Sequence, residues 1–145
     1  MTELYADEEK LDGEWNKWGY EMTIKLAVEE NDSVLWSLNL LANLARYTYT
    51  QDRFFEPFQF ISGGGNSICA SRSSEITALM VIRDTELDII EGIYGKTEFL
   101  QLVGITESEL SELNKNRENS KLLYDLIKKD NPDFDTDLNR LKSYL

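Results

Sequence analysis

Asp84, Glu86, Asp88 and Glu91 form a close group of carboxylates able to move protons, with Glu98 a little further on. Paired acids perform general acid–base catalysis, or hold a hydrolytic metal, when a desolvated pocket drives their pKa values apart. The grouping therefore raises one enzymatic reading, a carboxylate-based and metal-assisted hydrolase. It requires these acids to face inward, whereas acids at turns and strand edges are ordinarily solvated.

Every other chemical pattern lacks one necessary partner. Asp133-x-Asp135-x-Asp137 opens like a calcium loop, but Leu138 and Tyr144 stand where an EF-hand needs Gly and Glu. Gly63-Gly64-Gly65-Asn66-Ser67 lacks the Lys of a phosphate-binding loop, and no Lys occurs between Lys25 and Lys96. Ser67, Ser71, Ser73 and Ser74 surround Cys69 without a base to activate any of them. The chain has no His, which excludes a Ser-His-Asp triad, a Cys-His pair, a His-ligated metal and a His general base. Its single Cys excludes an internal disulfide and a CxxC metal site. No catalytic, cofactor-binding or metal-binding residues are expected.

What remains is recognition. Trp15, Trp18 and Trp36, with Tyr47, Tyr49 and the Phe residues at 54–60, serve equally as core filling or as a binding surface, since Tyr and Trp dominate interface hot spots. Trp15 and Trp18, in an acidic stretch, are the ones expected at the surface. The 27 acids and 15 bases give a formal charge of -12. Such a surface repels nucleic acid and anionic membranes and attracts a basic protein.

At 145 residues the chain has room for one domain, and 41% apolar residues argue against disorder. The acidic start does not read as a signal peptide, and no stretch approaches a membrane span, so a soluble cytoplasmic protein is expected.

The elements that must position these residues follow from periodicity. Residues 20–28 alternate apolar and polar and predict a strand with one wet face. Asp32 or Ser33 can cap a helix over 34–50, where Leu38, Leu41, Ala42, Ala45 and Tyr49 form one stripe. Leu40, Leu44 and Tyr47 widen that stripe, which predicts burial on more than one side. The glycines at 63–65 predict a turn. The apolar run 76–82 predicts a central strand; strands over 87–94 and 97–103 would complete an antiparallel meander. Thr106 and Glu109 make a capping box, flanked by a hydrophobic staple from Ile105 to Leu110, so a helix starts at Glu107. One or two helices run on to Asp130, where Asn131-Pro132 stops them, and 137–145 offers a short last helix.

Three segments together resemble the suppressor of fused domain. They are Gly19-Tyr20-Glu21-Met22-Thr23, Leu44-Ala45-Arg46-Tyr47, and the run from Gly95-Lys96 through Phe99-Leu100-Gln101 and Val103-Gly104-Ile105-Thr106. Order and spacing agree across 18–113. The resemblance implies an α+β domain with a mixed, largely antiparallel sheet packed with helices, and a family with no known enzymatic activity. It implies one domain over 1–145, N-terminally truncated relative to the family, with 131–145 as a C-terminal extension.

In animals the family member restrains a transcription factor by direct binding, whereas bacterial members look like immunity proteins that neutralise toxins. The short acidic chain is more similar to the bacterial form, because the animal protein carries a long second domain. The animal partner peptide docks near the tyrosine matching Tyr47 and near an acid whose place falls at Gln59. The expectation is therefore a non-enzymatic protein-binding domain that neutralises a partner, a basic toxin domain, through Tyr47, Gln59, Trp15 and Trp18. A hydrolase and a scaffold or homo-oligomer subunit are the alternatives.

Overall fold

The computed structural model describes residues 18–28, 33–93 and 95–145. Strand β1 (Trp18–Ile24) leads to helix α1 (Leu35–Gln51), then to β2 (Phe60–Ser62), β3 (Ile76–Arg83), β4 (Ile90–Gly92) and β5 (Gly95–Thr106). Helices α2 (Glu107–Lys115) and α3 (Asn119–Asp130) follow. The strands form one mixed sheet in the order β1-β5-β3-β2, with β4 paired to β5. β1 runs parallel to β5, with Trp18 opposite Lys96 and Ile24 opposite Leu102. The other strand pairs are antiparallel, and Leu26 makes an isolated parallel bridge to Thr136. Among the described residues, no helix is long and apolar enough to cross a membrane.

β5 organises the sheet. β1 takes one of its edges along Lys96–Leu102, so β4 and β3 must share the other. β4 pairs with Gly95–Thr97, and β3 with Leu100–Thr106. The expected meander is thus corrected. Among the described residues of the predicted 87–94 strand, Ile90–Gly92 forms and pairs with β5 as a meander requires, but not with β3, which pairs with β5 directly.

Both faces of the inner strands are buried, which explains why β3 reads as an unbroken apolar run. Ala78, Met80 and Ile82 of β3, with Val103 and Ile105 of β5, pack against Leu110, Leu113, Leu123, Ile127 and Phe134. Leu79 and Val81, with Leu100, Leu102, Tyr20 and Met22, face the other way, towards α1. Burying one such aliphatic side chain stabilises by roughly 1.5–3 kcal/mol. Gly104 lets the layers approach: a Cβ there would lie 2.5 Å from Ile76 Cγ2 and 2.7 Å from Thr136 Cγ2.

The capping box forms as expected. The Glu109 N–H donates to the Thr106 hydroxyl, and the Thr106 N–H donates to Glu109 Oε2 at 2.8 Å. The predicted last helix does not form. Residues 137–145 run irregularly, because Arg140 reaches into the interior and fixes the backbone around it. Its guanidinium donates to Glu109 Oε1 at 2.7 Å, to Glu109 Oε2 at 3.2 Å and to the Gly104 carbonyl at 2.9 Å. The buried Gln101 ties the same C-terminal stretch to the sheet, donating to the carbonyls of Asp133 and Phe134 and accepting from Thr85.

Candidate protein-binding surface

α1 begins with Val34 at its cap position, and no side chain caps it. Ser33 does not fill the role predicted for it, and Asp32 lies outside the described residues. Ser37 folds its hydroxyl back onto the Val34 carbonyl at 2.6 Å. The helix closes where Asp52 turns left-handed (φ 55°), a conformation Asp tolerates better than most residues.

The predicted stripe is rotated. Ser37 and Thr48 are the buried residues of α1, and Leu40, Leu41 and Leu44 pack on the sheet while remaining partly exposed. Leu35, Leu38 and Tyr49 point to solvent. A helix apolar nearly all round does not announce which side will dock; a hydrogen bond decides it here. Thr48 donates its only hydroxyl proton to the Leu44 carbonyl at 3.1 Å, so the Tyr20 phenol, 2.8 Å away, is the donor between them. The Phe55 N–H donates back to the Tyr20 oxygen at 3.2 Å. Tyr20 thereby pins β1, α1 and the 52–59 connector together. Burial raises its pKa, and the contacts to Thr48 and Phe55 only partly offset this.

On this pinned frame Tyr47 stacks on Phe55, with ring centroids 6.0 Å apart and planes at 27°. Tyr47 remains 43% exposed. Gln59 lies at the far end of the connector. Its side-chain carbonyl accepts from the Glu56 N–H at 3.0 Å, and its backbone carbonyl accepts from Val81 at 2.8 Å. Beside it, Phe58 adopts a left-handed backbone (φ 70°) and sets its exposed ring edge-on to Tyr124 of α3, 5.5 Å away. Bulky residues take that conformation only where their surroundings impose it.

Tyr47 thus sits on the last turns of α1, before the 52–59 connector, and Gln59 closes that connector. Trp15 lies outside the described residues, as does the side chain of Trp18, whose backbone opens β1. Phe55 as the support for Tyr47, and Tyr20 as the pin, have no mark in the sequence pattern. Nothing in the spacing marks the Tyr20–Thr48 pair.

The carboxylate group is built differently from an acid–base site. Burial opposes the charge of Asp84. It is outweighed by the Thr23 hydroxyl at 2.5 Å, the N–H groups of Glu86 and Leu87 at 2.8 Å and the nearby Lys25, so the pKa of Asp84 is lowered. Its charge holds the turn after β3. Glu86 pairs with Lys25 at 2.9 Å and is mostly exposed, as are Asp88 and Glu91. Glu98 is buried; its Oε1 lies 3.0 Å from the Arg83 Nε as an ion pair without an aligned hydrogen bond. Among the described residues, no three His, Cys, Asp or Glu side chains converge on a point a metal could occupy.

The family model described as "Suppressor of fused protein (SUFU)" matches residues 1–141. The chain belongs to the suppressor of fused family. The suppressor of fused homologues of Homo sapiens and Mus musculus are each 26% identical to it over 117 residues. That stretch is 76% of this chain but 24% of either relative, so the chain spans about a quarter of their length. Two solved structures share the fold. The Sufu–Fu complex crystal structure superposes with a TM-score of 0.76 at 22% identity, covering 97% of this chain and 63% of that one. The crystal structure of Drosophila Suppressor of Fused gives 0.75 at 22% identity, covering 97% and 35%. The expected α+β class, with a mixed and largely antiparallel sheet packed with helices, is the observed one.

Proposed function

We propose that this chain acts by binding: it occupies the surface of a protein partner, a basic toxin domain, and neutralises it without catalysis in the cytoplasm. The observation that carries the reading is Tyr47, exposed, stacked on Phe55 and held on a frame pinned by Tyr20. A pre-positioned aromatic loses little freedom on docking and makes an effective anchor. The family supports the same reading, since one solved relative was captured as a Sufu–Fu complex. The charge of -12 suits a partner that must itself attract phosphates, and it would speed encounter at low salt.

The test is a kinetic binding measurement against a purified basic toxin domain encoded beside the chain. The on-rate should fall steeply as salt rises, and Tyr47→Ala should cost about 2 kcal/mol, roughly thirtyfold in Kd. A salt-independent on-rate removes the electrostatic part. An unchanged Kd for Tyr47→Ala removes this surface.

A specific observation favours one second reading. The exposed Leu35, Leu38 and Tyr49 of α1 suit a self-associating subunit. Light scattering on the isolated chain separates the two. Against a carboxylate-based hydrolase stands the use of Asp84 as an ionised turn anchor.

A further inference from the structure

The β4–β5 hairpin and the segment leading into it expose Leu87, Ile89, Ile90 and Ile93, the last at 92%. Soluble proteins scatter single aliphatics over their surface, whereas several within one short hairpin mark a contact site. β4 is bonded along one edge only, through Ile90 to Thr97 and Gly92 to Gly95, and its other edge has no partner strand among the described residues. Such an edge accepts an added strand.

Charge indicates what kind of strand. Glu86, Asp88 and Glu91 interleave with the aliphatics. Lys25 and Lys96 reach Glu86 and Glu91, and no base faces Asp88 among the described residues. Residues 86–89, which lead into β4, alternate carboxylate and aliphatic side chains and so match a strand alternating basic and aliphatic ones, because cross-strand pairs favour apolar contacts and opposite charges. A second copy of the chain fits poorly. Antiparallel pairing of two β4 edges about Glu91 sets like carboxylates opposite one another, between chains that each carry -12.

We infer that the free edge of β4 is a second docking surface, taking an extended segment of a partner protein in which Lys or Arg alternates with aliphatic residues. It shares no residue with the Tyr47 surface, so either can fail without the other.

The test titrates the full chain with a fluorescent peptide of alternating Lys and Val, followed by anisotropy. The controls are a peptide of the same composition with its lysines in one block and an alternating peptide N-methylated along one edge. The alternating peptide should bind about tenfold tighter than the block peptide, and N-methylation should abolish binding. Ile90→Asn and Asp88→Lys should each weaken binding about tenfold. Both sites are exposed, so circular dichroism should show the fold retained. Leu122→Asn, an equal change on exposed α3 surface, should leave binding unaltered. Equal binding of the alternating and block peptides, or indifference to N-methylation or to Ile90→Asn, overturns the proposal. So does sedimentation showing a dimer that Ile90→Asn dissolves, which would make the occupant a second copy.

Discussion

The two faces of the sheet are covered in different ways. On the α2–α3 face, both helices and the C-terminal stretch contribute fully buried side chains, among them Leu113, Leu123 and Phe134. An internal ion pair between Arg140 and Glu109 closes that face, and Glu109 is wholly inaccessible. On the α1 face, the buried hydrophobic residues all come from strands, and Leu40, Leu41, Leu44, Phe54 and Phe55 cover them only in part. One face is devoted to stability, and the other is left partly open where the aromatic surface sits. The proposed binding surface needs side chains whose apolar area is still available, and the less fully covered face has them.

This contrast can be broken by mutation. The largest loss should come from Glu109→Ala, which strands the Arg140 guanidinium in the interior and removes half of the capping box. About 3–5 kcal/mol is expected, read as a lower urea midpoint at unchanged m-value. Next, Leu113→Ala on the closed face should cost about 2–5 kcal/mol, and Leu44→Ala on the open face less than half as much. Equal losses in chemical denaturation would show the two faces to be equally packed. Thr106→Ala should cost about 1 kcal/mol by removing the cap of α2.

The smallest effect belongs to the margin between the faces, where Asp84 links the turn after β3 to Thr23. Its folded pKa lies below its ordinary value, so the folded state binds fewer protons than the unfolded one as both titrate. Its contribution is full above about pH 4 and disappears as pH falls through the folded value. Asp84→Asn should therefore unfold slightly more easily at neutral pH, and the two stability curves should converge in acid.

Local rules were legible along the chain wherever neighbours in sequence decide the outcome. The cap at Thr106, the stop at Asn131-Pro132 and the central strand β3 were all readable, because each depends on a few adjacent residues. Pairings across long separations were not. Leu138, Leu141 and Leu145 imitate helical spacing, yet Arg140 must reach Glu109, 31 positions away, and Leu141 ends in solvent. The docking side of α1 escaped for a related reason: Thr48 faces inward only because Tyr20 waits for it. The family segments marked Tyr47 and Gln59, but the platform that makes Tyr47 usable required Phe55 and the pin beneath it.

The parallel register of β1 on β5 also sets an order of events during synthesis. β1 has its hydrogen-bonding template in residues 96–102, which leave the ribosome much later than it does. Until then its tyrosine and methionine have no sheet to cover, whereas the helices after β5 find a finished surface the moment they appear. β1 can join the sheet only after β5 is made, and this long-range closure is the step expected to limit the rate of folding.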